Sequence, residues 1–352
     1  MKFTTTLYLL FILICVTGCI RDDAEPTPGE TNISRLYIST SEFQPNTGAV
    51  AFNNIFLISP ADTNNFEQNR SQAFTSEAKG GSIIHYNPIS SMLYQGSQNN
   101  LGLSDTVVYG MEAGRTGTLS NRSRIRNKLF QNVKGLAYDQ RNDNLYVYEN
   151  LQRSIYVINN PKGRSNFTVP NAGVKVTGDI SGWALAMRGT DLFLTTTGAN
   201  GGIAVLPGAV TNEPFKNVTD IKILPLQGSA NIRGMAYDTV KNVLALTDYA
   251  ISGGTSTGKI YIFENVADLK SLTSLTPTRT ITGAATLLQE PIDVAIDTRE
   301  SGKYLYVADQ KAKKVFRFRI DAQGNEAPDA VHTPANGYTP VSIALDARTI
   351  QN

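Results

Sequence analysis

Cysteine is almost missing from this chain. The 352 residues hold two, Cys15 and Cys19, both within the first twenty positions. A domain built from the rest can form no internal disulfide and must hold together by its core alone. Histidine is equally scarce. His85 and His332 lie in unrelated segments, which with the absent cysteines argues against a transition-metal cluster. There is one tryptophan, Trp183. The longest apolar run, Leu7 to Val16, falls short of the roughly 20 residues a membrane helix needs. Charge of one sign is lacking too. Lysine and arginine total 32 against 30 acids, a net +2, too small to imply a nucleic-acid partner.

What is there begins with an address. Lys2, the apolar run and the small residues before Cys19 have the layout of a secretory signal. Val16-Thr17-Gly18-Cys19 resembles the bacterial lipobox. The resemblance implies cleavage after residue 18 and lipid on Cys19, hence a membrane partner through that anchor. Residues 19–32 read as a flexible tether with two prolines, Asp22, Asp23, Glu25 and Glu30. Its acidic cluster resembles the surface-export signal of Bacteroidota lipoproteins, and a plain solvated spacer fits as well. The expected location is the bacterial cell envelope, at the outer membrane, periplasmic or surface-exposed. Residues 33–352 are expected to form one domain of about 320 residues, long enough for a large core.

That domain repeats. VKGLAYDQRNDNLYVYEN from Val133 has relatives at Ser82 (SIIHYNPISSMLYQGSQ), Ile180 (ISGWALAMRGTDLFLTTT), Ile232 (IRGMAYDTVKNVLALTDY) and Pro291 (PIDVAIDTRESGKYLYVADQ). Each copy has an apolar strand A, most of them ending at Asn or Asp (Asn87, Asp139, Asp238, Asp297). A polar turn, an aromatic-rich strand B and an alternating strand C follow. Residues beyond C, such as Thr278 to Ile281, supply a fourth strand. A period of about 50 residues suits four-stranded blades around an axis. The sixth copy is split. The chain ends with an A strand, PVSIALDARTI from Pro340, and opens with B-like and C-like segments at Arg35–Phe43 and Gly48–Ile58. Joining them closes the ring and removes two exposed sheet edges. The fold class expected is an all-β, six-bladed β-propeller whose last blade is shared by the two ends.

The motif G-[LM]-A-x-D followed by L-Y-V-x-[DE] resembles the propellers of the NHL-repeat and gluconolactonase-like group, which includes the senescence-marker-protein-like lactonases. The resemblance implies a divalent metal in the central funnel, held by carboxylates and asparagines just before the glycine of strand A. At that register this chain has Ser82, Lys134, Ser181, Arg233, Ile292 and Val341. None is an acid or an asparagine, two are cations, and Asp293 is one step out of register. No catalytic residue, metal or other cofactor is expected. Lys134 and Arg233 instead suggest an anion site shared between blades. The competing reading places both on solvated loops or pairs them with Glu149, Asp179 or Asp248. Asn231, two residues before its glycine, and Trp183, as packing or as a stacking surface for a sugar, complete the candidate ligand-binding set.

Other motifs carry less. Gly253 to Lys259 satisfies G-x-x-x-x-G-K, but Ile260 follows and begins a strand. A phosphate loop would need Ser or Thr there and then a helix, so the segment reads as a flexible B–C loop. Arg122, Arg124 and Arg126, with Arg115 and Lys128 nearby, suit an outer strand whose charges discourage edge pairing; the alternative is a polyanion or acidic-glycan patch. His85 is expected to be a satisfied core group. The function expected is that of a cell-envelope binding or interaction module for a small anionic ligand, a glycan or an envelope protein. A divergent lactonase or hydrolase, and a structural component of an envelope complex, are the alternatives.

Overall fold

A computed structural model describes residues 30–43, 53–67, 71–98, 105–165, 172–176, 180–210, 216–266 and 268–351. The signal segment, Cys19 and the tether up to residue 29 lie outside these residues. Residues 30–32, expected to end the tether, are already strand. The unit Ile33–Arg348 is a β-propeller of six sheets.

Blade 1 holds β1 (Glu30–Thr40), β2 (Ile55–Ile58) and β3 (Gln72–Phe74). Blade 2 is β4 (Gly81–Asn87), β5 (Met92–Ser97), β6 (Val107–Ala113) and β7 (Leu119–Arg126). Blade 3 is β8 (Val133–Asp139), β9 (Asn144–Glu149), β10 (Ser154–Asn159) and β11 (Ala172–Val176). Blade 4 is β12 (Gly182–Arg188), β13 (Asp191–Thr196) and β14 (Gly202–Leu206), then β16 (Lys222–Pro225); the intervening β15 (Lys216–Val218) pairs in parallel with β11 at the edge of blade 3. Blade 5 is β17 (Met235–Asp238), β18 (Val243–Ser252), β19 (Thr255–Glu264) and β20 (Arg279–Thr282). Blade 6 is β21 (Pro291–Ile296), β22 (Tyr304–Asp309), β23 (Lys314–Arg319) and β24 (Ala330–His332). The last strand, β25 (Pro340–Gln351), returns to pair with β1 in blade 1. The split copy therefore closes the ring as its two halves suggest, and Leu36 and Ile343 share one buried cluster.

Most of the repeated polar residues are scaffold. The carboxylate or amide ending strand A accepts main-chain N–H groups of the turn that follows: Ile89 to Asn87 at 3.0 Å, Arg141 to Asp139 at 3.2 Å, Val240 to Asp238 at 2.9 Å and Arg299 to Asp297 at 3.2 Å. These are Asx turns. The acid ending strand B binds the loop that enters strand A. Glu149 accepts from Asn132 N at 2.7 Å, Asp248 from Asn231 N at 2.6 Å and Asp309 from Gln289 N at 2.7 Å. The motif glycine answers to crowding at the axis. A Cβ on Gly234 would lie 2.5 Å from the Cα of Asp293 in the next blade, and one on Gly135 would lie 2.7 Å from the Cβ of Leu185.

A belt of cations, not foreseen from the sequence, links the A–B turns around the ring. Arg141 donates to the Gly189 carbonyl at 2.5 Å, Arg188 to the Tyr237 hydroxyl at 2.6 Å and Lys241 to the Asp297 carbonyl at 2.5 Å. Arg299 donates to the Asp62 carboxylate at 2.6 Å and Arg348 to the Pro88 carbonyl at 2.8 Å. Each hands one blade to the next. The D-x-R spacing at Asp139, Asp297 and Asp346 is its trace in the sequence.

Candidate functional site

Strand register decides which side chains share a level of the axis. Four of the six inner strands carry an irregularity at the same place: between Gly81 and Ile84, Val133 and Gly135, Gly182 and Leu185, and Pro291 and Asp293. A bulge releases its residue from the strict up-down alternation and re-aims the side chain. In blades 2 and 4 the irregularity encloses two residues, and in blade 4 the pairing beyond it sets the level. Leu185 pairs with Leu194 as Met235 pairs with Leu246. Ala184 N bonds the Thr195 hydroxyl as Gly234 N bonds that of Thr247, both at 2.8 Å. Trp183, not Ser181, therefore occupies the level of Lys134 and Arg233. This corrects the register expected from sequence. The level reads Ser82, Lys134, Trp183, Arg233, Ile292, Val341 around the ring.

Three consecutive blades thus place a lysine, an indole and an arginine side by side. Lys134 Nζ lies 4.3 Å from the centroid of the Trp183 ring and the Arg233 guanidinium carbon lies 4.4 Å from it. Both are cation–π contacts, worth about 0.5–2 kcal/mol each depending on desolvation. The indole also packs against buried clusters of blades 4 and 5 and of blades 1 and 6, which carries it across the axis. All three side chains are half-buried.

Neither cation has a carboxylate partner among the described residues. Glu149 is used by Asn132 and Gln152 main chain. Asp248 is used by Ala230, Asn231 and the Tyr261 hydroxyl. Asp179 lies outside the described residues. Among the described residues Arg233 has only long hydrogen-bond contacts, to Ile232 O and Tyr249 Oη at 3.4 Å each, and its buried Nε has no acceptor. Burial, and then repulsion from Arg233, pull the Lys134 ammonium down to about 8. Asn231 donates through Nδ2 to the Tyr249 carbonyl at 3.1 Å and so fixes the approach to β17.

The donor set does not fit the metal that the fold family implies. The axial level offers two cations, an indole, two aliphatics and a hydroxyl. Asp293, one residue further in, is occupied by Ser342 Oγ at 2.5 Å and Ile343 N at 2.9 Å. Among the described residues no three His, Cys, Asp or Glu side chains are grouped to hold an ion.

The remaining candidates separate from this cluster. The Gly253 to Lys259 segment is no flexible loop. β18 and β19 pair as far as Ser252 and Thr255, and the turn is Gly253-Gly254 with φ of +57° and +80°, the left-handed pair that a two-residue hairpin requires. Arg122, Arg124 and Arg126 are exposed on the outermost strand of blade 2, and the first two pair with Glu112 and Glu77. His85 is half-buried. It lines a cavity of about 290 Å³ on the axis and makes no hydrogen bond to any described residue.

No protein-family model matches this chain, and neither does any curated protein. Solved structures do, in fold. A chain of the nidogen/laminin complex superposes with a TM-score of 0.59 at 15% identity over 89% of this chain and 98% of that one. A protein from Bacteroides uniformis, proposed to be a 6-phosphogluconolactonase, gives 0.52 at 10% identity over 90% and 99%. The periplasmic gluconolactonase of Pseudomonas aeruginosa gives 0.50 at 13% identity over 90% and 99%. At such identities the likeness establishes the six-bladed propeller and nothing about chemistry.

Proposed function

We propose that this protein is a binding module of the bacterial cell envelope, carried by lipid on Cys19, that captures a small anion at Lys134, Trp183 and Arg233. The observation that carries the reading is a pair of half-buried cations over one indole with no carboxylate partner among the described residues. An anion would supply the missing acceptors, relieve the repulsion between the cations and exploit the bidentate geometry of arginine. The indole adds an apolar surface for the rest of the ligand.

A thermal-shift panel of sugar acids, organic acids and phosphorylated sugars tests this. At least one anion should raise the melting temperature in proportion to its occupancy. Lys134→Ala combined with Arg233→Ala should abolish that rise, while the loss of two cation–π contacts lowers the unliganded melting temperature by only a few degrees. A panel without any shift, or a shift that survives the double substitution, overturns the reading. The likeness in fold to lactonase structures supports a second reading, a divergent lactonase. It predicts turnover of a sugar lactone that calcium or zinc restores and a chelator removes, whereas anion capture is indifferent to both.

A further inference from the structure

The axial cavity is a different place from the cation–indole cluster. Neither Lys134, Trp183 nor Arg233 lines it. One level of its wall is nearly uniform. Counted from the turn residue of each A strand, or from register in blade 4, this level is Ala137, Ala186, Ala236, Ala295 and Ala344, with His85 in blade 2. Five methyl groups leave room at the axis, and the sixth position holds the one imidazole of the cavity wall. The neighbouring level toward the turns includes Tyr86, Tyr138, Tyr237 and Met187. Burial lowers the His85 imidazole to about 4, so at neutral pH it carries one donor and one acceptor. No described residue uses either. The one acid in the wall, Asp293, is already bonded to Ser342 and Ile343.

We propose that this chamber binds a compact, uncharged aromatic alcohol of the phenol class, with its ring among the alanines and tyrosines and its hydroxyl on His85. The volume, about 290 Å³ and partly open to solvent, leaves room for a substituted single ring. Tyrosine rings favour edge or offset contacts with another ring. A free imidazole rewards one hydroxyl, while a carboxylate meets no free cation and would be desolvated at a cost.

The chain has two histidines, so histidine-selective nitrogen NMR of the full protein reads the site directly. Titration with phenol or 4-ethylphenol should shift the His85 resonances saturably and leave those of His332 in place. Benzoate should move neither. Ala236→Leu, which fills the chamber, should remove the shift. Should that variant not fold, His85→Ala followed by calorimetry should bind 4-ethylphenol roughly tenfold more weakly than the parent. A His85 signal that stays fixed, drifts without saturating, responds equally to benzoate or keeps its response in Ala236→Leu overturns the proposal. So does undiminished affinity in His85→Ala.

Discussion

At the scale of single residues, two titrations on the axis are measurable. Lys134 sits near 8 because burial and Arg233 disfavour its charge. An anion that binds there stabilises the ammonium, so binding takes up a proton as pH rises past that value. Affinity should be level below pH 7 and fall by roughly tenfold per pH unit above 8. In Lys134→Arg, calorimetry should show that fall abolished. The second pair governs stability. Burial lowers His85 to about 4 and raises Asp293 to about 6. Between pH 4 and 6.5 the unfolded chain binds more protons at His85, so that group makes stability rise with pH. Over nearly the same window the folded chain binds more protons at Asp293, so that group makes stability fall. Each contributes on the order of 3 kcal/mol, and they oppose each other. Urea unfolding of Asp293→Asn should show stability climbing more steeply with pH than the parent, and His85→Ala should show the reverse. Parallel profiles would refute both assignments. The anomaly at His85 is legible in the repeat as a histidine in the alanine column, but its lack of a partner is not. Partners come from strands far away in the chain.

At the scale of elements, the glycine of G-[LM]-A-x-D marks where inner strands of adjacent blades meet. The turn glycines serve torsion instead. Alanine distinguishes the two roles. Gly234→Ala drives a Cβ to 2.5 Å from the Asp293 main chain and should cost about 1–3 kcal/mol, because backbone must move. Gly253→Ala meets nothing within 4 Å but keeps a φ of +57°, which costs about 1 kcal/mol. Urea midpoints of the two variants should fall in that order. The turn aspartates were legible because each serves the next two or three residues of its own chain. The hairpin at Gly253-Gly254 was misread as a loop because polar threonines and serines hid strands that continue by main-chain pairing alone.

At the scale of the whole molecule, closure is shared by several devices. β25 pairs with β1, Asp293 reaches Ser342 and Ile343 across from blade 6 to blade 1, and the cation belt runs on from Arg299 to Asp62 and from Arg348 to Pro88. The proposed anchor belongs to this scale as well. The parent protein should partition into the detergent phase of a phase-separation assay, and Cys19→Ala should move to the aqueous phase with its melting temperature unchanged. A parent protein that stays aqueous would refute the lipid.

Blade number, the order of strands A to C within a blade and the union of the two ends were determined by the sequence alone. They rest on alternation, turn chemistry and a period of about 50 residues, all of which act between near neighbours in the chain. Which side chains meet on the axis was decided by the tertiary structure. The pairing of Leu185 with Leu194 and the bond from Ala184 N to Thr195 set Trp183, not Ser181, in the column of Lys134 and Arg233, and cross-strand register of that kind leaves no mark on hydrophobic periodicity. The emptiness around His85 is likewise a property of five other blades. Each gives up a side chain at one level, and only the closed ring brings those five vacancies together.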